Sequence, residues 1–188
     1  MRSTFVLLAA LAAAPASAND YMPAIQSFLE TEIAPWTADP RLAEAVVTQN
    51  AVTSGYTQAD IDRLDQTWMS EVGSADSEII RSVLDNPASA LLREWVDSSD
   101  GAITEAFVFD ALGLNVASSA VTSDYWQGDE AKYSETFPKG PEAVHISEVE
   151  FYESSQAYQV QVSVPIVDPA SGAVVGAMTV GLNADRLF

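Results

Sequence analysis

The spacing of apolar residues divides the chain into two parts. From Tyr21 to Val96, apolar residues recur every three or four positions, as at Ile25, Leu29 and Ile33, which is the pattern of amphipathic helices. From Ala102 onward they recur at every second position, which is the pattern of strands with one buried face. The sequence therefore predicts a helical part followed by a sheet.

The helical part is predicted to contain five segments separated by turn residues. Prolines mark a break between Pro35 and Pro40, and the second helix ends near Gly55. The third begins at Thr57-Gln-Ala-Asp60, which has the spacing of a capping box. Ser77–Asp85 forms the fourth segment, and Pro87 suits the first turn of the fifth.

The second part is predicted to form an antiparallel sheet. Its five strands are Ala102–Phe109, Leu114–Ser118, Val144–Tyr152, Ala157–Val167 and Ala173–Leu182. Gly113 can take the positive φ of a tight hairpin, and Asp168–Gly172 forms the loop between the last two strands. Helices followed by such a sheet predict an α+β fold in which the N-terminal helices pack on one sheet face.

The segment after the first hairpin combines aromatic rings with carboxylates. Thr122-Ser-Asp124 is predicted to cap a helical turn, so that the following rings lie within about two turns. Such rings beside carboxylates suit a cavity for a small ligand and favour an amine or another cation. The alternative is that the rings merely close the end of the sheet. The predicted ligand-binding residues are Phe107, Phe109, Asp124, Tyr125, Trp126, Tyr133, His145 and Asp168.

Composition excludes several classes of function. The net charge of −19 would repel nucleic acid and anionic lipid. The chain has no cysteine and a single histidine, which excludes cysteine nucleophiles, disulfides and multi-histidine zinc or haem sites. Asp60, Asp62 and Asp65 lack the spacing of a calcium loop and are predicted to form a solvated helix face. We therefore expect no metal and no cofactor.

No catalytic residue is predicted. A Ser-His-Asp triad would have to use His145, and no G-x-S-x-G motif accompanies it. The pair Asp129-Glu130 is adjacent in sequence, so its carboxylates would not face one another on a helix. We therefore expect the protein not to be an enzyme.

The N-terminus has the features of a secretory signal peptide, Met1–Ala18. Arg2 precedes an apolar run, Phe5–Ala14, that is too short to span a bilayer, and Ala16-Ser-Ala18 forms a small-residue cleavage site. The mature protein is expected to begin at Asn19 and to be periplasmic or secreted.

The mature chain is expected to form one domain. Residues 19–98 would be its helical part, and residues 99–188 would be the sheet with its ligand site. No later apolar run is long enough for a transmembrane helix, so no membrane insertion is expected.

Three motifs of the second part occur together. They are the D-x-x-G hairpin at Asp110, the segment T-S-D-Y-W-Q-G-D-E from Thr122, and a strand pair from V-P-I-V-D at Val164 to V-G-L-N at Asn183. Together they resemble the extracytoplasmic Cache (PDC, PAS-like) sensor domains of bacterial receptors. The resemblance covers Leu91–Leu187. It implies a PAS-like sheet backed by helices, with a pocket for a small metabolite.

The chain departs from that family in two respects. Family members that bind amino acids hold the α-carboxylate with an arginine, whereas this chain has none between Arg93 and Arg186. Lys132, Lys139 or backbone N–H groups would then take that role. Family members usually lie between two transmembrane helices, whereas this chain ends at Phe188. The expected partner is therefore a membrane-bound receptor or kinase.

The function that the sequence favours is an exported sensor domain for a small metabolite, either an amine or an amino-acid-like molecule. One alternative is a periplasmic interaction or scaffold protein without a ligand, in which Trp126 fills the pocket. The least favoured alternative is an exported hydrolase, which would need His145 beside a serine or two carboxylates in a cleft. The oligomeric state does not follow from the sequence.

Overall fold

The computed structural model describes residues 18–152 and 155–187, with side chains from residue 21 onward. The predicted signal peptide, Met1–Ala18, lies outside the described residues except for Ala18, which begins the first helix. Among the described residues, no helix is long and apolar enough to cross a membrane.

Helices make up the first half of the described chain. They are α1 (Ala18–Phe28), α2 (Ala34–Thr37), α3 (Pro40–Thr53), α4 (Gln58–Glu71), α5 (Glu78–Leu84) and α6 (Pro87–Ser98). A π-helical turn, Leu29–Ile33, joins α1 to α2 without a break. The predicted break between Pro35 and Pro40 is confirmed, because α2 ends at Thr37 and α3 begins at Pro40. Pro35 lies in the first turn of α2, where a helix does not need its missing N–H.

Side chains that accept backbone N–H bonds set the starts of the later helices. The predicted capping box is confirmed, because Thr57 and Asp60 each accept a hydrogen bond from the other's backbone N–H. The bonds from Thr57 hold the pKa of Asp60 below its usual range. Ser77 caps α5, and Asn86 caps α6 by accepting the N–H of Ser89 at 2.9 Å. These positions agree with the predicted helix starts.

The second half forms one antiparallel sheet. Its strands are β1 (Ile103–Phe109), β2 (Asn115–Ser118), β3 (His145–Ile146), β4 (Glu150–Tyr152), β5 (Ala157–Val167) and β6 (Val174–Asn183). The strand order is β2-β1-β6-β5-β3, and β4 also pairs with β5. A four-residue helix, α7 (Ala131–Ser134), lies between β2 and β3.

The predicted strand Val144–Tyr152 is divided into β3 and β4. The division occurs at Ser147, whose hydroxyl oxygen accepts the N–H of Gln161 at 2.9 Å. A side chain thus replaces a backbone carbonyl in the ladder, so the pairing with β5 is interrupted. The sheet has six strands rather than five for this reason.

The two faces of the sheet differ in chemistry. One face is apolar and packs on the helices, with Val162, Met178 and Val180 completely buried against Leu42 and Leu92. This packing confirms the predicted α+β fold with helices on an antiparallel sheet. The opposite face carries buried polar side chains, and the segment between β2 and β3 covers it. The polar residues are Glu105, Gln159, Gln161, Ser163 and Thr179.

Candidate functional site

A cavity of about 230 Å³ lies between the polar face of the sheet and the segment that covers it. We call this cavity the sheet cavity. Its volume is below the roughly 300–1,000 Å³ that is typical of pockets for drug-sized ligands, so it suits a smaller molecule. It is lined by Glu105, Phe107, Thr122, Ser123, Asp124, Gln127, Glu130, Lys132, Tyr152 and Gln161.

The floor of the sheet cavity is a hydrogen-bonded network around a buried carboxylate. Glu105 Oε1 accepts the side-chain amide of Gln159 at 2.6 Å and that of Gln161 at 3.1 Å. The hydroxyl of Thr104 donates to Gln159 Oε1, which orients the amide so that its Nε2 points toward Glu105. A register shift between Ile103 and Glu105 allows Ile103 to join the apolar core while Glu105 faces the cavity.

The wall of the cavity is an irregular segment, Thr122–Gln127, with bends at Ser123 and Tyr125, and several distant groups hold it in place. The backbone carbonyl of Asp124 accepts three hydrogen bonds, from Asn115 Nδ2, Thr122 Oγ1 and Gln127 Nε2, at 2.9, 2.7 and 3.0 Å. With its backbone fixed in this way, the Asp124 carboxylate is positioned at the cavity. Its hydrogen-bond donor among the described residues is the neighbouring Ser123 hydroxyl, at 2.7 Å.

The helical part also anchors this segment. Asp65 of α4 accepts the backbone N–H groups of Tyr125 and Trp126 at 2.8 and 3.0 Å. The indole N–H of Trp68 donates to the carbonyl of Thr122 at 2.8 Å. The prediction that Asp65 belongs to a solvated helix face is therefore wrong, because its carboxylate holds the cavity wall.

Negative charge predominates in the sheet cavity. It contains three carboxylates, from Glu105, Asp124 and Glu130, and one ammonium group, from Lys132. The Lys132 side chain is 11% exposed and lies 3.0 Å from Glu130 Oε2 and 3.2 Å from Gln127 Oε1. Its ammonium group also lies 5.3 Å from the centre of the Phe107 ring. The cavity therefore carries a net charge of about −2 when these groups are ionised.

Only some of the predicted ligand-binding residues line this cavity. Phe107 and Asp124 do so. Phe109 and Tyr133 pack beside it instead, with ring centres 6.1 Å apart, and the Tyr133 hydroxyl donates to the carbonyl of Ala111 at 2.8 Å. Burial raises the pKa of Tyr133. These two rings support the cavity wall rather than form it.

Tyr125 and Trp126 lie on the far side of the wall. Tyr125 stacks on Trp68, with ring centres 5.6 Å apart, and Trp126 donates its indole N–H to the carbonyl of Leu112 at 2.8 Å. The predicted helical turn after Asp124 is also wrong, because Trp126 forms a β-bridge with Leu114. The prediction that Tyr125 and Trp126 line the ligand site is corrected for the sheet cavity, because neither residue lines it.

Asp168 does not line the cavity. It follows the end of β5, seven residues beyond Gln161, which corresponds to roughly 23 Å along an extended strand. It is half-buried, and its carboxylate accepts the hydroxyl of Ser171 at 2.6 Å, which lowers its pKa. Its assignment to the ligand site is corrected: the structure gives it the role of closing the β5–β6 hairpin.

Comparison with solved structures finds ligand-binding and sensor domains of similar fold at low sequence identity. No protein-family model matches the chain, and no curated protein shows significant similarity to it. The ligand-binding domain of the Campylobacter jejuni chemoreceptor Tlp3, in complex with 4-methylisoleucine, is similar at 11% identity and a TM-score of 0.43, covering 86% of this chain and 64% of that one. The sensor domain of the V. cholerae histidine kinase DctB has 11% identity and a TM-score of 0.41, with 90% and 57% covered. The E. coli DcuS sensor domain has 18% identity and a TM-score of 0.39, with 67% and 92% covered.

These neighbours are Cache-type sensor domains. They are of the kind that the sequence motifs predicted. The chain spans less than two thirds of the length of the Tlp3 and DctB structures. With TM-scores below 0.5, the similarity carries no inference about the ligand or the partner of this chain.

Sequence reasoning did not select five of the residues that line the cavity with polar groups, namely Glu105, Gln127, Glu130, Tyr152 and Gln161. The sequence did contain a signal for Glu105. It is a carboxylate among the buried residues of a central strand, and a buried carboxylate needs hydrogen-bond donors or a positive charge beside it. Alternation along its strand puts Gln161 on the polar face. Its contact with Glu105 could not be seen without the sheet register.

His145 lies on the cavity side of the sheet but does not line the cavity. It pairs with Ser163 across β3 and β5, and its Nδ1 is buried without a hydrogen-bond partner among the described residues. Burial lowers the pKa of His145, a neighbouring Glu135 opposes that shift, and Lys132 adds to it. A neutral imidazole is therefore favoured in the folded protein.

His145 is expected to make stability depend on pH. Because its folded pKa lies below its ordinary value of 6.5, the unfolded chain takes up the proton first as the pH falls. The contribution of the neutral imidazole to the free energy of unfolding is complete above pH 6.5. It is lost as the pH falls from 6.5 toward the folded pKa, and below the folded pKa it no longer changes. Between pH 8 and pH 5, the thermal midpoint of the unsubstituted protein should therefore fall further than that of the His145→Gln variant. Parallel curves would contradict this expectation, since carboxylate titration is common to both.

Proposed function

We propose that this chain is an exported sensor domain that binds a small organic cation in the sheet cavity. The observation that carries the proposal is the excess of carboxylates, Glu105, Asp124 and Glu130, over the single ammonium group of Lys132. Ionised groups in a partly enclosed site attract an opposite charge more strongly than they would in water. An amine ligand would therefore bind with a favourable electrostatic free energy, whereas a dicarboxylate would be repelled.

The arrangement of polar groups suits an ammonium group with a short body. The Asp124 carboxylate offers acceptor oxygens at the wall, and Glu105 lies on the floor opposite. The rings of Phe107 and Tyr152 supply apolar surface for the body of the ligand. For an amino-acid-like ligand, Lys132 is the cation at the cavity that can take the carboxylate.

The cavity is not filled by the protein's own tryptophan. Trp126 is held against the hairpin by its bond to Leu112, outside the residues that line the cavity. This position favours ligand binding over the alternative of an interaction protein with a pocket closed by Trp126. In the proposed function the protein is periplasmic, and the ligand-bound state is presented to a membrane-bound receptor or kinase.

The test compares ligands of similar size and different charge. We expect 1,4-diaminobutane and L-lysine to raise the thermal midpoint, L-valine to have a smaller effect, and succinate to have none. A ligand at 100 times its dissociation constant stabilises the folded state by about 2.7 kcal/mol, which is a shift of several degrees. Stabilisation by succinate alone would contradict the proposal.

The site is tested by Asp124→Asn, which removes the charge and keeps the shape. We expect this variant to bind the diamine about tenfold to a hundredfold more weakly in calorimetry, as for the loss of a charged hydrogen bond. Asp129→Asn is the matched control, because Asp129 is exposed, lies in the same segment and does not line the cavity. Equal loss in the two variants would show a general charge effect and would remove the assignment of Asp124.

A further inference from the structure

A second cavity lies on the other side of the Thr122–Gln127 segment. It is a groove of about 540 Å³ between α3 and the turn from α5 to α6, within the range of small-molecule sites. We call it the helical groove. Its apolar lining residues are Ala45, Val52, Pro87, Ala88 and Val116. The groove shares none of its lining residues with the sheet cavity.

Tyr125 places a hydroxyl group at the helical groove. The side chain is 8% exposed, and its ring is held by Trp68 while its backbone is held by Asp65. Its hydroxyl nevertheless has no hydrogen bond with any described residue. The hydroxyl oxygen is not fully buried, since Tyr125 lines the groove, and it is therefore accessible from there. A ligand in the groove can accept a hydrogen bond from it.

The surroundings of Tyr125 select the type of polar group. Burial and the nearby Asp110 carboxylate raise the pKa of Tyr125, so that its hydroxyl stays protonated and can donate. This carboxylate and that of Glu44, which lines the groove, disfavour an anionic ligand, while the guanidinium of Arg41 at the groove is paired with Asp39 at 2.6 Å. Gln49, which also lines the groove, uses its Nε2 to donate to Asp110 and to two backbone carbonyls. Its Oε1 accepts no hydrogen bond from the described residues and can take a donor.

We propose that the helical groove is a second small-molecule site, for an uncharged molecule with an apolar body and an amide or hydroxyl group at one end. Tyr125 donates to that group and Gln49 accepts from it, while the apolar residues of α3 and of the α5–α6 turn enclose the body. The site is independent of the cation site in the sheet cavity, so neither proposal depends on the other.

The probes are three molecules with one ring and different substituents: benzamide, toluene and benzoate. Binding is followed by the NMR chemical shifts of backbone amides along α3 and around residue 87 during titration of the protein. We expect benzamide to bind most tightly and benzoate most weakly. Binding of benzoate as tight as that of benzamide would overturn the proposal.

Tyr125→Phe tests the proposed hydrogen bond to the ligand, because it removes only the hydroxyl. We expect benzamide to bind about three- to tenfold more weakly, as for one neutral hydrogen bond, and toluene to bind as before. The thermal midpoint should stay the same, because the hydroxyl has no partner in the protein. An unchanged benzamide affinity, or a marked loss of stability, would overturn the proposal.

A filling variant tests the location. Thr48 is an exposed residue of α3 that lines the groove, and Thr48→Tyr should block benzamide. Val47→Tyr is the control, since Val47 is exposed on the same helix and does not line the groove. Equal binding to the two variants would overturn the proposal. So would self-association that Thr48→Tyr abolishes, because a second copy of the chain would then occupy the groove.

Discussion

Replacing Asp110 with alanine is expected to lower the free energy of unfolding by about 3–4 kcal/mol. The Asp110 side chain is completely buried and accepts four hydrogen bonds. The N–H groups of Leu112 and Leu114 donate to Oδ1, both at 2.9 Å, while Thr53 and Gln49 donate to Oδ2 at 2.8 and 3.2 Å. Alanine would leave the N–H groups of Leu112 and Leu114 without this acceptor and would remove two of the bonds that join α3 to the first hairpin.

Urea denaturation measures this loss, because its midpoint reports stability when the slope is unchanged. The control is Asp129→Ala, since the Asp129 carboxylate is exposed and forms no hydrogen bond with the described residues. It should change stability by no more than about 0.5 kcal/mol. Asp110→Asn keeps Oδ1 as an acceptor and should lose less than the alanine variant. Similar stabilities for the alanine variants at positions 110 and 129 would show that the network is not needed.

Replacing Gly113 with alanine is expected to destabilise the protein by about 3 kcal/mol or more. Gly113 has a φ of +83°, which costs an alanine about 1–2 kcal/mol. A Cβ atom at this position would also lie 2.6 Å from the backbone N and Cα of Gly128, and overpacking of this kind typically costs a further 1–3 kcal/mol. The clash would move Gln127, which lines the sheet cavity, so affinity for the amine should fall as well.

Gly73→Ala separates these two costs. Gly73 has almost the same φ, +85°, but a Cβ atom there would have no neighbour within 4 Å. This variant should therefore lose only the conformational part, about 1–2 kcal/mol, and should keep its affinity for the amine. If the two glycine variants lost equal stability, the close approach between Gly113 and Gly128 would have no energetic consequence.

Local sequence signals predicted those elements whose causes are local. The capping box at Thr57 works within one helical turn, and alternation along Ala157–Val167 predicted β5 with its observed bounds. The tight hairpin at Gly113 likewise depends on the φ of one residue. Predictions failed where a distant group decides the backbone. Ser147 divides a strand through a bond from Gln161, and Asp65 holds the backbone of Tyr125 and Trp126 where a helical turn was predicted.

The same reason explains the mixed outcome for the candidate site. Composition and motif indicated an acidic, aromatic segment, but not which of its residues face a cavity. Asp124 and Tyr125 are neighbours in sequence, but hydrogen bonds from distant residues fix their backbone. Asp124 lines the sheet cavity, whereas Tyr125 lines the helical groove.

The sequence by itself determined the order of helices and strands, the apolar face of the sheet and the excess of negative charge. Periodicity and composition suffice for these properties, because each residue contributes to them independently of its distant neighbours. The tertiary structure alone decided that Glu105, Asp124 and Lys132 meet at one cavity. These residues come from a strand, an irregular segment and a short helix. Their contact depends on strand register and on the bonds from α4, which no local pattern encodes.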